Sequence, residues 1–387
     1  MRKIAPILLL RLALLVAVLA CAVLAIEYQN MGDPAFCGVA SGCMAVRRSM
    51  WSRIGPVPLP VIGLFAHAML LVLSLGAREK VHTLYLAAAT LAGGLIGAAL
   101  LSIQAFQLHT FCKWCVMVDV SAIVAAAAAG WLHREVAQSA VYEAWFGAFA
   151  RRRAQVVVWV GGTVIAALLP VIWGEYPVVP PLPEGVAALA VPDKVTIVSF
   201  TDFECPFCRK MHPVLHDIAK RSGGRVALVR KMVPLSIHFG ARPAALGYLC
   251  TPAASRERMA DSLYGAPHHL LNETGVTAIA AGLGLDREAF ARCYEAPETA
   301  AAIKADEALF ASLKAPGLPF TYVGSRVVAG FNEGAARKLA NAAQSGGRPS
   351  LPVTWMMVVF AALAVIVAAL TARLSRDEAE ASAVPAP

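Results

Sequence analysis

Two cysteines three residues apart, in Cys112-Lys113-Trp114-Cys115, carry the most specific chemistry in the chain. At the start of a helix such a pair lies on one face and can close a disulfide. The motif follows the polar stretch Gln104–Thr110 and opens an apolar run from Val116 to Leu132, interrupted by Asp119 and Ser121. A structural zinc needs two further thiolate or imidazole ligands, and none but His109 is near. A dithiol at the water-facing mouth of a membrane helix points instead to electron exchange with something dissolved in lipid. A second motif, Cys205-Pro206-Phe207-Cys208, follows the β-branched run Val195–Phe200 and opens a helix through about Lys220. Backbone N–H groups and the positive end of the helix dipole favour a thiolate at Cys205. Cys205 is therefore expected to be the exposed nucleophile, with Cys208, a turn inward, as the resolving residue. A CxxC between strand and helix favours redox chemistry over metal binding, and no metal is expected.

The elements that hold these pairs follow from composition. Of 387 residues, 58% are hydrophobic and 15% charged, too apolar for a soluble enzyme. The formal charge of +9 does not point to nucleic acid, because Lys and Arg cluster where cytoplasmic loops would lie. Eight of the nine cysteines pair by position: Cys37 with Cys43, Cys112 with Cys115, Cys205 with Cys208 and Cys250 with Cys293. Such thiol usage fits an oxidising compartment such as a bacterial periplasm.

A first span is expected over about residues 7–26, with Arg2, Lys3 and Arg11 at its start and Arg11 snorkelling to the surface. Val18-Leu19-Ala20-Cys21 resembles a lipoprotein cleavage site, but Leu19 fits it poorly. We read a retained helix with Cys21 as an inert apolar residue. Residues 27–56 read as a polar loop in which Cys37 and Cys43, with five small or flexible residues between them, can bridge without strain. Spans over 58–75 and 83–106 meet at a short loop holding Arg78, Glu79 and Lys80. Gly93, Gly94 and Gly97 let backbones approach closely there. A fourth span covers 111–132, and Arg151-Arg152-Arg153 marks the inner face. The domain boundaries expected are 1–153 for a four-helix membrane part, 154–173 for a fifth span and 174–192 for a Pro-rich extended tether. A soluble α/β domain follows over 193–345, then a sixth span over 350–373 and a cytoplasmic tail over 374–387. This topology puts both termini in the cytoplasm and every cysteine pair outside. In the soluble domain Val226–Lys231 reads as a second strand, and a helical insertion precedes a hairpin beginning near Pro316. Cys250 and Cys293 flank that insertion as a structural disulfide. His238, His268 and His269 are expected at the surface, as are Arg221, Arg225, Arg230 and Lys231. Asp119, costly in lipid, should face the bundle or water.

Cys37…Cys43 followed by CKWC at a fourth helix resembles the vitamin K epoxide reductase family, whose bacterial branch fuses its bundle to a thioredoxin-like domain. Ser49, ahead of Gly55-Pro56-Val57-Pro58, stands where the family has its serine, with Ser52 as the next choice. Phe203-Glu204-Cys-Pro-Phe-Cys, with its helical insertion, resembles DsbA-like oxidoreductases, and Pro319 falls where thioredoxin folds place the cis proline facing the dithiol. The two likenesses cover about residues 5–345. They imply a membrane α-helical bundle, with a four-helix core plus two further transmembrane helices, joined to an α/β thioredoxin-fold domain. They also imply a quinone cofactor, ubiquinone or menaquinone, contacted by Cys115. Electrons would run from reduced exported proteins to Cys205/Cys208, then Cys37/Cys43, then Cys112/Cys115, then quinone in the bacterial inner membrane. Two features depart from the pattern: Ser199 stands where many thioredoxin folds bury a carboxylate, and the sixth span is extra. The alternatives are a transmembrane reductant or isomerase, which would need a cytoplasmic dithiol in the reductant case, and a non-enzymatic metal-binding or chaperone module.

Overall fold

The computed structural model describes residues 4–29, 35–37, 42–77, 80–136, 153–176, 178, 181–345 and 350–383. Arg78, Glu79, Arg151, Arg152, Pro177, Pro180 and residues 38–41 lie outside that set, so the arginines read as marking the inner face and part of the first dithiol loop are not described. The chain divides into two compact units, one of residues 1–29, 35–178 and 350–387 and the other of 30–34 and 179–349.

The first unit is built from α1 (Ile4–Gln29), α2 (Gly42–Arg48), a two-residue hairpin of β1 (Arg53–Ile54) and β2 (Val57–Pro58), α3 (Leu59–Gly76), α4 (Lys80–Phe106), α5 (Lys113–Val136), α6 (Arg153–Gly174) and, at the far end of the chain, α15 (Val353–Ala383). Six of these helices are long and apolar enough to cross a membrane. Helix α1 is apolar all round and largely buried, as a helix at the centre of a bundle must be. The surrounding helices turn Phe65, Tyr85, Leu95, Ile96, Val157 and Val365 outward, an arrangement suited to lipid. The bundle's core runs from Leu10 and Leu14 through Leu71, Leu75, Ala125 and Trp159.

Three expectations change here. Arg11 does not snorkel: it is buried, donating from Nε to Ser74 Oγ (3.2 Å) and from Nη2 to Ser74 O (3.0 Å), with its guanidinium over Trp159. A bundle partner near the helix end satisfies the charge that water would otherwise take. The stretch read as a polar loop contains helix α2 and the short hairpin. Of the glycines on α4, a Cβ on Gly97 would stand 2.9 Å from Asp119 O and one on Gly94 3.0 Å from Ala126 Cβ, whereas one on Gly93 would meet open space. Of these three glycines, Gly94 and Gly97 permit the close crossing of α4 and α5.

The second unit carries a four-stranded sheet in the order β4-β3-β5-β6, formed by β3 (Val195–Thr201), β4 (Val226–Met232), β5 (Phe320–Val323) and β6 (Arg326–Ala329). Strands β3 and β4 run parallel, and β5 pairs antiparallel with both β3 and β6. A short helix α7 (Glu184–Ala187) lies ahead of β3, where an extended tether was expected. Helix α8 (Pro206–Arg221) connects β3 to β4 and α14 (Glu333–Gln344) follows β6; Ile197, Met211, Leu215, Val328 and Leu339 share one core. Between β4 and β5 five helices, α9 (Ala241–Leu249), α10 (Arg256–Gly265), α11 (Glu273–Gly282), α12 (Arg287–Glu295) and α13 (Pro297–Ser312), form the helical insertion. The protein is thus a helical membrane part joined to an α/β thioredoxin-like domain with a mixed sheet.

Candidate active site

In the membrane unit four sulfurs form one chain of contacts. Cys43 lies in the first turn of α2, and its Sγ is 3.1 Å from Cys112 Sγ. The side chain of Cys37 hydrogen-bonds both of those sulfurs, and the Cys115 N–H donates to Cys112 Sγ at 3.4 Å. The approach requires a glycine: a Cβ on Gly42 would stand 2.6 Å from Thr110 Oγ1 and 2.9 Å from the carbonyl carbon of Phe111. Cys112 is placed by Gln104, near the C-terminal end of α4, whose Oε1 accepts the Cys112 N–H (3.0 Å) while its Nε2 donates to Asp119 Oδ2 (3.2 Å). Asp119 therefore faces the bundle. Cys37, Cys43 and Cys112 are buried and Cys115 is half-buried.

The loop is held by a residue that the sequence reading passed over. Glu27, near the end of α1, is 2% exposed, and its Oε1 accepts the N–H of Phe36 and of Cys37 (3.3 Å for the latter). Arg47, one turn beyond Cys43 on α2, donates to Glu27 O at 2.5 Å and lies 3.8 Å from Glu27 Oε2. One residue thus restrains both cysteines of the pair. Ser49 donates its hydroxyl to Val46 O (2.7 Å), at the junction of α2 and the turn that follows. Ser52 is buried.

In the second unit Cys205 caps α8 and Cys208 lies in its first turn. Cys205 is 5% and Cys208 1% exposed, so the expected exposure of Cys205 is corrected: Phe203, Leu271 and Leu318 pack around the pair. The thiol of Cys208, and after it the backbone N–H groups of Cys208 and Phe207, hydrogen-bond Cys205 and bring its pKa down to about 6 against the cost of burial. Burial, more than any neighbour, pushes Cys208 up. The Leu318–Pro319 peptide is cis, and Leu318 lies against the dithiol cluster. Ser199 is buried and bonded to Thr321 Oγ1 (3.2 Å). A buried carboxylate does stand by the motif, at Asp202. Its Oδ1 accepts the Glu204 N–H (2.7 Å), and its Oδ2 accepts the Leu235 N–H (2.9 Å) and pairs with His238 Nδ1 (2.8 Å). His238 is therefore part of the site's scaffold, and His268, bonded to Glu204 Oε1 (3.2 Å), also takes part. His269 is exposed, as expected, and its carbonyl accepts from Asn272. Arg230 is corrected from a solvated face to a buried one, between Glu257 and His212.

Away from the dithiol, Cys250 and Cys293 form a disulfide across the insertion. His212, His216 and Asp261 bring three potential metal-ligand atoms within 4.8 Å of one another. Arg230 donates to His212 Nδ1 (2.9 Å), and since guanidinium has no acceptor, His212 must carry its proton on Nε2, facing Asp261 Oδ1 (2.7 Å). That tautomer has no lone pair to offer a metal at Nε2.

Residues 7–130 match the vitamin K epoxide reductase family and residues 193–335 a thioredoxin family. The thiol:disulfide interchange protein DsbA of Bordetella parapertussis is 25% identical over 171 residues, 42% of this chain and 78% of the relative. A thioredoxin-like oxidoreductase from Silicibacter pomeroyi is 31% identical, over 40% of this chain and 89% of its own, with a TM-score of 0.36. The thiol-disulfide exchange protein alpha-DsbA2 from Wolbachia pipientis is 18% identical, over 50% and 97%, with a TM-score of 0.34.

Proposed function

The chain is a multi-pass membrane protein joining a vitamin K epoxide reductase family domain, residues 7–130, to a DsbA-like thioredoxin domain, residues 193–335, and on that premise we propose that it oxidises thiols of exported proteins at the expense of a membrane quinone. The observation that carries the reading is the 3.1 Å approach of Cys43 to Cys112, with Cys115 next in line. A reduced client passes two electrons to the Cys205–Cys208 disulfide, and two protons leave with them. The Cys205 thiolate then attacks the Cys37–Cys43 disulfide at Cys37 and Cys43 departs as the free sulfur; Cys208 attacks Cys205, re-forming the Cys205–Cys208 disulfide and releasing Cys37. Cys43 attacks the Cys112–Cys115 disulfide at Cys112, releasing Cys115 as the terminal thiolate, and Cys37 then closes on Cys43, releasing Cys112. Because Cys37 and Cys205 are both covered, exchange between them requires that each be uncovered first.

The residues at the end of this path fit a quinone: Cys115 is less buried than Cys37, Cys43 and Cys112, and Phe106 and Phe111 nearby in the chain expose apolar rings. A bound quinone would accept the two electrons and two protons. The clustering of Lys80, Arg134 and Arg153 at one set of helix ends supports placing the cysteines on the periplasmic side. Purified full-length protein, given a reduced unfolded client and either ubiquinone or menaquinone, should oxidise the client as quinone is consumed, and Cys115→Ala should abolish this. Client oxidation that continues unchanged without quinone, or in Cys115→Ala, would refute the proposal.

A further inference from the structure

The sheet of the second unit ends on β4, and its ladder fixes which backbone groups face outward. In a parallel pair, residues that bond to the neighbouring strand alternate with residues that do not. Val195 N–H donates to Arg225 O (2.9 Å) and Val233 N–H to Thr201 O (3.0 Å). The odd-numbered residues of β4 therefore turn to β3 and the even-numbered ones to the open edge. Both ends of that edge are occupied: Val226 N–H donates to Ser222 Oγ (3.0 Å) and Met232 N–H to Asp306 Oδ2 (2.8 Å). Between them the N–H groups of Leu228 and Arg230 have no partner among the described residues.

These two residues line a cavity of about 620 Å³, closed by Lys220 of α8, Tyr248 of α9, and Arg256 and Glu257 of α10. Arg230 donates from Nη1 to Glu257 Oε1, so those two charges offset each other. Glu257 Oε2 is buried and has no hydrogen-bond donor. His216, which also lines the cavity, pairs with Asp261 (3.2 Å). Lys220 and Arg256 are then the cations without a carboxylate partner among the described residues. Arg256 is held by its Nε on Thr251 O (3.0 Å) and lies 5.9 Å over the Tyr248 ring. The cavity thus combines unpaired strand N–H groups, an acceptor in need of a donor, and surplus positive charge.

We propose that this cavity binds an extended acidic stretch of polypeptide, added as a short strand along Leu228–Arg230. A free anion would meet the two cations but bring no donor to Glu257 and no acceptor in register with the strand. A peptide brings both, and its carbonyls can take the Leu228 and Arg230 N–H groups, which recur about 7 Å apart along the edge. Its carboxylates meet Lys220 and Arg256. Lys220 stands about four turns of α8 beyond Cys205, roughly 22 Å along the axis, so the site is separate from the dithiol. That the stretch belongs to a client held while its cysteine reacts rests on the thiol-exchange reading above; the binding itself does not.

The test uses the full chain in detergent micelles and a fluorescein-labelled, cysteine-free heptapeptide alternating valine and glutamate, read by fluorescence anisotropy. The peptide should bind saturably. Replacing its glutamates with lysine should abolish binding through charge, and methylating its backbone nitrogens should abolish it by blocking strand pairing. Lys220→Gln/Arg256→Gln should raise Kd about tenfold, the effect of losing hydrogen bonds to a charged group. Arg287→Gln/Lys304→Gln, an exposed pair outside the cavity, should leave Kd unchanged. No saturable binding, or binding that Lys220→Gln/Arg256→Gln leaves intact, overturns the site. Equal affinity for the methylated peptide, with displacement by inorganic phosphate, would show a simple anion site and overturn the added strand. Because the probe has no thiol, a protein that binds it in this pattern yet fails to oxidise a reduced client upholds the site and refutes only the exchange reading.

Discussion

The pKa of Cys205, lowered from 9.0 to about 6, has its largest cause in one atom, the Cys208 sulfur, and that makes it testable. At pH 7 a thiol with that pKa is about 90% ionised, against about 1% for an unperturbed one, a gain of roughly 90-fold in thiolate. Nucleophilicity falls as pKa falls, with a Brønsted slope near 0.4–0.5, so three pKa units give back about 20-fold. The net gain in rate at pH 7 is then only about fourfold, and a rate at one pH is a poor test. The midpoint of the pH profile is a good one. Iodoacetamide labelling of Cys205 in the full chain, with Cys37, Cys43, Cys112 and Cys115 replaced by serine, should titrate near pH 6. Cys208→Ala removes a charge-assisted hydrogen bond worth about 1.5–3 kcal/mol, or about 1–2 pKa units, and should move the midpoint to roughly 7–8. The sign also fixes the stability of the reduced form. A depressed folded-state pKa contributes stability that is fully present above the unfolded value and lost as pH falls through about 6, on the order of 4 kcal/mol in all. A parent midpoint near 9, or one that Cys208→Ala leaves in place, would show that the hydrogen bond does not set the thiolate.

The Cys250–Cys293 disulfide spans a sequence separation of 43, for which the chain-entropy relation gives about 4 kcal/mol, so the Cys250→Ala/Cys293→Ala protein should lose up to that much in urea denaturation of the second unit. Equal midpoints would show that the insertion is held by its apolar core alone. Gly97→Leu should lower the melting temperature of the membrane unit, because its Cβ would meet Asp119 O, while Gly93→Leu should leave it unchanged. Similar melting temperatures for the two variants would contradict the crossing described.

Patterns of long range in the sequence were the legible ones. Six apolar runs and a strand–CxxC–helix sequence suffice for the fold, because each depends on composition over many residues or on a motif with a narrow geometric meaning. What stayed hidden depends on contacts between segments distant in the chain. Arg11 and Arg230 read as solvent-facing charges because a charge on an apolar helix or strand has no visible partner in sequence; their partners are 63 residues away at Ser74 and 27 away at Glu257. Helix α2 escaped because seven residues carry too little periodicity to distinguish it from a loop. The dithiol scaffold of Asp202, Glu204 and His238 was missed for a related reason. The carboxylate sought at position 199 stands three residues later, on the turn rather than the strand, where periodicity says nothing.

Glu27 shows how the membrane dithiol's reach depends on a residue with no redox chemistry. Cys43 meets Cys112 only if α2 is held over the mouth of α5, and α2 has seven residues, too few to hold itself. The hold comes from Arg47, one turn past Cys43, on the end of α1, and from the same glutamate's carboxylate on the Cys37 backbone. Both contacts are buried, so losing the carboxylate removes the 3.8 Å ion pair with Arg47 and leaves two N–H groups without their acceptor, a change that costs about 3–5 kcal/mol in comparable buried pairs. In a Cys37→Ala/Cys115→Ala background the remaining pair, Cys43 and Cys112, should crosslink on mild oxidation, as their 3.1 Å separation allows. Adding Glu27→Ala should cut the yield sharply. Glu27→Gln, which keeps an acceptor oxygen for the Cys37 N–H and loses only the charge, should retain more of it. The crosslink is read by mass spectrometry of a non-reduced digest, with the melting temperature alongside. Full crosslinking in Glu27→Ala would mean that α2 is held by its apolar contacts and that the glutamate does not position the relay.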